Sequence, residues 1–180
     1  SFMYQQNNAI TPSISSDEAA NALDAKFVNY MGVTQQAGGL IAFYQDGVTT
    51  DGTEISVVCN EIWLKSRFWT AIMNLFLALE KVPANDYGVG LIKTVMTDVL
   101  TVAIRNGTVT PRKPLTTTQK LYIGQVTGNT EAWQDVFNNG YTLDVKVEED
   151  TVTHKYVAKY VLVYSKGDAI RKIEGADIMV

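Results

Sequence analysis

The stretch FWTAIMNLFLAL, Phe68–Leu79, is the most apolar run of the chain and restricts the folds open to it. A helix needs about 20 apolar residues to cross a bilayer. This run is shorter, so we expect a buried helix. Over about 61–80 the helical period predicts one apolar face, made of Ile62, Trp69, Ile72, Phe76 and Leu79. A face this broad indicates packing in a core or an interface.

A second long helix is predicted over about 86–105. Asp86 can cap its first turn, and Asn106-Gly107 can end it in the left-handed conformation. A short connection containing Pro83 joins the two helices, which predicts an antiparallel pair. We expect the pair to pack over a sheet and to bury most of Trp69, Ile72, Phe76, Val95 and Val99.

Strands and shorter helices are predicted on both sides of this pair. A capping box at Ser15 and Glu18 predicts a first helix with Ala19, Leu23, Phe27 and Tyr30 on one stripe. TEAWQDVFNNG predicts a short helix that Thr130 caps and that ends at Gly140. Predicted strands are Leu40–Tyr44, EISVV, KLYIGQV, YTLDVKVE and KYVAKYVLVYS, the last of them central because both its faces are apolar. The order predicts an α+β fold, with the helices on one face of a mixed or antiparallel sheet.

Composition narrows the classes of function. A chain of 180 residues suits one domain, or one domain with a small appendage. The net charge is −4 without a basic block, which argues against a nucleic-acid groove. Cys59 is the only cysteine, so no intramolecular disulfide can form and a reducing context is favoured.

No constellation of residues predicts catalysis, a metal or a cofactor. The only histidine, His154, lies in a polar stretch and is expected to face solvent. Cys59 lies in VVCNE and is expected to be a small buried hydrophobic residue. The glycines of DYGVGLIK lack the third glycine of a dinucleotide fingerprint. We therefore expect a structural protein that is not an enzyme, the alternative being an uncharacterised bacterial α+β ligand-binding or enzyme domain.

Four longer stretches carry a resemblance to a known family: ITPSISSDEAANALDAKFVNYMG, the helix pair EIWLKSRFWTAIMNLFLALEKVPANDYGVGLIKTVMTDVLTVAIRNGTV, and the final strands GYTLDVKV and KYVAKYVLVYSKGDAIRKIEGADIMV. They resemble the contractile-phage tail sheath proteins, and in particular a branch formerly of unknown function. The TPRKPL loop and the TEAWQDVF helix have no obvious place in the shorter pattern of the wider sheath superfamily.

The resemblance implies the C-terminal portion of a larger sheath subunit, a structural virion protein that polymerises around the tail tube and contracts during genome injection. Its partners would be neighbouring sheath subunits and the tail tube protein, without nucleic acid, membrane or cofactor. It would be made in the host bacterial cytoplasm and reside in the phage tail. Another tail or baseplate structural protein is the alternative. The implied division is a lead-in from a preceding domain at 1–14, the α+β domain at 15–169 and a C-terminal arm at 170–180.

The resemblance further implies that the C-terminal arm donates a strand to the sheet of a neighbour. Apolar and charged residues alternate along it, as in a strand with one covered face. The flexible Gly167 and Gly175 would let the arm leave its own domain. The residues expected at this subunit interface are Ile170, Ile173, Ile178, Met179 and Val180.

Overall fold

A computed structural model describes residues 3–7, 9–36, 38–45 and 47–168. The chain divides into two compact units, of which the first contains the described residues up to Asn60 together with Asp168, and the second is Glu61–Gly167. The elements within the described residues are α1 Asp17–Asp24, β1 Tyr30–Gln36, β2 Gly39–Gln45, α2 Ile55–Leu79, α3 Asp86–Arg105, α4 Thr117–Thr127, α5 Ala132–Asn139, β3 Tyr141–Glu149 and β4 Tyr156–Tyr164. Five helices and two small antiparallel sheets in this part of the chain confirm the predicted α+β class.

The first unit is built on the antiparallel hairpin of β1 and β2. The segment before α1 borders both strands. The Tyr44 amide donates to the Gln5 carbonyl at 2.8 Å, and the Val33 amide donates to the Ile14 carbonyl at 3.0 Å. The ring of Tyr4 packs on that of Phe43, with 5.2 Å between centroids. The lead-in segment is therefore integrated with the hairpin by backbone pairing.

The helix α1 is shorter than its apolar stripe predicts. Its cap is Ser16, whose hydroxyl accepts from the Ala19 amide at 3.4 Å, rather than the neighbouring Ser15. The helix ends at Asp24, and Phe27 has a φ of +55°, which a continuing helix cannot accommodate. Tyr30 begins β1, a strand that the sequence pattern did not predict. The helical spacing of these two aromatic residues was therefore misleading.

The long helices follow the prediction in extent, with two corrections. The EISVV stretch, predicted as a strand, is the beginning of α2, where the Glu54 carbonyl accepts from the Val57 amide at 3.0 Å. The predicted cap of α3, Asp86, is also wrong, because the cap is the preceding Asn85, whose side chain accepts from the Gly88 amide at 3.2 Å. Gly107, with a φ of +72°, follows its end as predicted.

The core of the second unit lies between these helices and β3. Met96 and Leu100 of α3 are fully buried. The cluster contains Leu64, Phe68, Ile92, Met96, Leu100, Ala103, Val109, Leu143 and Val145. By length and composition α3 could also cross a membrane, but burial of its apolar face in this cluster is typical of a core helix.

The prediction that this face of α2 is buried is wrong for two of its residues. Trp69 is 70% exposed and Phe76 is 44% exposed, whereas Leu64 and Phe68 face the core. Ile72, and Val95 and Val99 of α3, are mostly buried, as predicted. Because α2 is apolar on nearly all sides, the 3.6-residue period cannot select which side faces the sheet. Contacts with the sheet, whose residues are distant in sequence, determine which side of α2 is buried.

The helix α4 replaces the strand predicted for KLYIGQV. A capping box between Thr116 and Gln119 begins it, and Gly128 with a φ of +71° follows its end. The predicted helix α5 is confirmed, although its cap is Glu131 instead of Thr130. Both helices contribute to a small core cluster of Ile123, Ala132 and Val136.

The strands β3 and β4 form an antiparallel hairpin in which Tyr141 lies opposite Tyr164 and Glu149 opposite Tyr156. The alternation predicted for β3 is confirmed, since Leu143 and Val145 are buried. The strand β4 was expected to be central in the sheet. In the described part of the chain it pairs with β3 alone, and its residues from Tyr156 to Val161 are exposed.

Candidate assembly surface

The second edge of β4 is the most unusual feature of the second unit. Among the described residues, β3 occupies one edge of β4 and no strand occupies the other. Four large side chains of the strand are nevertheless exposed, at 63% for Tyr156, 41% for Val157, 50% for Tyr160 and 37% for Val161. An open edge with apolar side chains is a template for pairing with another strand.

The helix α2 lies beside this strand. A groove of about 430 Å³, which we call the α2–β4 groove, separates them. It is lined from α2 by Phe68, Trp69, Ile72 and Phe76, and from β4 by Tyr156, Val157, Ala158 and Tyr160. The buried residues Ile92 and Val145 also contribute, so the groove reaches the core.

Two aromatic rings connect the walls of the groove. Phe68 and Tyr160 meet edge-on, with 6.4 Å between ring centroids and 61° between ring planes. Beyond this contact, Trp69, Ile72 and Phe76 continue along α2 at spacings of three and four residues, so they share one stripe about 10 Å long. The two walls therefore contact each other through these rings, while the stripe stays accessible.

The charged groups at the rim are already paired. Lys65 Nζ lies 2.6 Å from Glu61 Oε1, and Lys159 Nζ lies 2.7 Å from Glu148 Oε2. The hydrogen bond to Lys159 lowers the pKa of Glu148, and the same bond raises the pKa of Lys159. All four side chains are about half exposed or more, so these pairs contribute little stability. They leave the groove itself mainly apolar.

The turn between β3 and β4 is held by Asp150. Its carboxylate accepts from the Val152 amide and from the Thr153 hydroxyl, each at 2.9 Å. The backbone hydrogen bond from Val152 is the main reason why the pKa of Asp150 is lowered. His154 is exposed, as predicted, and its Nδ1 lies 3.2 Å from Glu149 Oε1. Turn formation and ion pairing therefore account for the polar residues of this turn.

Candidate catalytic and metal-binding residues are not brought together. Cys59 is exposed, so the prediction of a buried cysteine is wrong. Its apolar neighbours in sequence face other sides of α2. Within the described ranges, no group of three His, Cys, Asp or Glu side chains could hold a metal ion. The predicted interface residues Ile170, Ile173, Ile178, Met179 and Val180 lie outside the described residues.

Sequence reasoning found the α2 residues of the groove and assigned them to a core or an interface, without deciding between the two. A signal for the correct assignment exists in the excess of apolar positions on α2. A helix that covers only a narrow sheet needs one apolar stripe, whereas α2 carries apolar residues on more than one side.

One family model matches this chain. It describes the E217 tail sheath protein gp31-like, C-terminal domain, and it matches residues 55–179, a range that contains both walls of the groove. No curated protein matches the chain. Since the match spans more than half of the sequence, the chain belongs to the E217 tail sheath protein gp31-like C-terminal domain family.

Proposed function

We propose that this chain is the assembly domain of a contractile phage tail sheath subunit and that its α2–β4 groove accepts a β-strand from a neighbouring subunit. The observation that carries the proposal is the edge of β4 that no described strand occupies, beside the exposed apolar stripe of α2. Membership in a tail sheath family supports a structural protein of the virion tail over an enzyme.

Strand addition uses both parts of this surface, the edge of β4 and the apolar stripe of α2. The guest backbone forms hydrogen bonds along β4, while every second guest side chain enters the groove beneath Trp69 and Phe76. Burying an aromatic or large aliphatic side chain completely contributes about 1.5–3 kcal/mol. A guest strand therefore gains both backbone pairing and apolar contact, and it removes an edge that would otherwise favour aggregation.

The donor in this proposal is the C-terminal arm, 170–180, of the adjacent subunit. Its residues Ile178 and Val180 lie two positions apart, so in an extended strand they share one face, as strand addition requires. Subunits linked in this way polymerise around the tail tube after synthesis in the host bacterial cytoplasm. Contraction during genome injection is then a collective change between two packings of the same folded units. Neither nucleic acid nor a membrane takes part.

The test uses two complementary variants of the full-length protein. Trp69→Asp places a charge in the groove and blocks the acceptor, whereas deletion of 170–180 removes the donor. We expect each variant alone to remain a soluble monomer without tubes in negative-stain microscopy. Mixed together, they should form a heterodimer in sedimentation velocity, because one still donates a strand and the other still accepts it.

Leu121→Asp is the matched control, because Leu121 lies on α4 and is 71% exposed, nearly the same as Trp69. This variant should form normal tubes. Normal tubes from either complementary variant would refute the proposed linkage. Absence of the heterodimer on mixing would show that the arm does not pass between subunits.

A further inference from the structure

The end of β4 is attached to the segment that follows α3 by a short pairing of residues 107–111 with residues 165–167, which we call the seam. Val109 and Lys166 lie opposite each other as an isolated antiparallel bridge. The Thr110 amide donates to the Ser165 carbonyl at 2.9 Å, and the Gly167 amide donates to the Thr108 carbonyl at 3.0 Å. The seam therefore has backbone hydrogen bonds on both sides of its central pair.

Gly140 extends this attachment to the end of α5. Its carbonyl accepts from the Ser165 amide at 2.8 Å. Its φ is +85°, and a Cβ at this position would lie 2.8 Å from Val109 Cγ1. Both the conformation and the close contact require glycine here. Three segments of the second unit thus meet at one point.

Gly167 is also packed too tightly for a side chain. A Cβ there would lie 1.8 Å from the Gly107 carbonyl oxygen and 3.1 Å from Thr110 Oγ1. The expectation that Gly167 is a flexible exit for the arm is therefore wrong, since its lack of a side chain serves a close backbone contact. Gly175, the other predicted flexible point, lies outside the described residues.

The seam is buried as well as bonded. Val109 is 1% exposed, Thr108 is 3% exposed and Ser165 is 7% exposed. Val109 belongs to the main core cluster together with Leu143 and Val145 of β3. Opening the seam would break backbone hydrogen bonds and expose part of this cluster, which is characteristic of a segment that opens only with the whole domain.

We infer that the seam is a permanent anchor, closed in the free subunit and in the assembled one, so that any change of partner by the C-terminal arm begins after Gly167. The role of the arm in this statement rests on the proposed function. The closed state of the seam rests on the described contacts alone. An anchor at this position lets the arm change partners without loosening β4, the strand that carries the acceptor groove.

Amide hydrogen exchange tests the anchor without requiring assembly. In the full chain, the amides of Thr110, Ser165 and Gly167 should exchange at least 100-fold more slowly than the amide of His154. The His154 amide is a suitable reference because it donates to the Asp150 carbonyl at 2.8 Å but lies in the exposed turn. Exchange of the seam amides as fast as that of His154 would overturn the inference.

A reversible cross-link tests the assembled state. Val109→Cys and Lys166→Cys place two thiols across the bridge, in a Cys59→Ser background that removes the exposed native thiol. Oxidised and reduced protein should form tubes to the same extent. Tubes from the reduced form only would mean that the seam must open, and would overturn the anchor. If wild-type protein forms no tubes, the proposed function fails, and the exchange rates alone decide the anchor.

Discussion

Phe68 and Phe76 lie two helical turns apart on α2, and truncation of each to alanine distinguishes folding from assembly. Phe68 is 4% exposed and belongs to the main core cluster. Phe76 is 44% exposed and lines the α2–β4 groove. We expect Phe68→Ala to lower the free energy of unfolding and Phe76→Ala to weaken tube formation with little effect on folding.

The magnitudes follow from burial. Removing a phenylalanine from a packed core costs about 3–5 kcal/mol, because a cavity remains. Phe76 is only about half-buried, and complete burial of such a side chain contributes about 1.5–3 kcal/mol, so its truncation should cost about 1 kcal/mol. For a chain of this size 1 kcal/mol corresponds to about 2–4 °C in Tm. Phe68→Ala should therefore lower Tm by roughly 6–20 °C, and Phe76→Ala by only about 2–4 °C.

The assay combines urea denaturation, followed by circular dichroism, with negative-stain microscopy of the full-length protein. The slope m should stay constant between variants so that the midpoints report stability. Leu121→Ala is the control for loss of an exposed apolar residue outside the groove, and it should change neither measurement. If Phe76→Ala destabilised the protein as much as Phe68→Ala, the groove would belong to the core and the reasoning would fail.

Three further predictions concern packing and charge. Gly167→Ala should lower the unfolding midpoint, because the added Cβ would meet the Gly107 carbonyl. Gly90→Ala, where the added Cβ has open space around it, should be neutral or stabilising by about 0.5–1 kcal/mol. Thermal unfolding compares the two variants. Thr108→Val should raise the free energy of unfolding by about 1–3 kcal/mol in urea titrations, because the buried Thr108 hydroxyl has no hydrogen-bond partner among the described residues; a loss of stability would indicate a partner. The pKa of Glu148, measured by NMR, should lie below its ordinary value. The small stabilising effect of the ionised Glu148 is therefore present at neutral pH and is lost as the pH falls through this pKa. Lys159→Ala should raise the pKa of Glu148, and an unchanged pKa would contradict the pairing.

The elements predicted correctly are those specified by local signals. The helix α3 has an apolar period, a capping side chain at Asn85 and a glycine after its end. The strand β3 alternates apolar and polar residues, and Gly140 separates it from α5. Each of these signals acts within a few residues, so sequence alone conveys them.

The elements predicted wrongly depend on contacts distant in sequence. Short apolar runs such as EISVV and KLYIGQV fit a strand or a buried helix equally well by periodicity. The strand β1 was missed because the helical spacing of Phe27 and Tyr30 continued the α1 stripe beyond the point where the backbone turns. Burial of Trp69 and Phe76 was predicted wrongly, because the sequence does not show how many strands lie beneath α2.

A comparison of α2 with α3 gives the strongest reason to expect a partner at the groove. The two helices share one core, and each has a side that faces away from it. On α3 the exposed residues include Lys93, Thr94 and Asp98, as expected for a side in contact with water. Of the large apolar residues, α3 exposes Tyr87 and Val102, whereas α2 exposes Ile62, Trp69, Met73, Phe76, Leu77 and Leu79. Solvation alone would favour polar residues at both helices, so the larger exposed apolar area of α2 supports the proposal that another protein segment binds there.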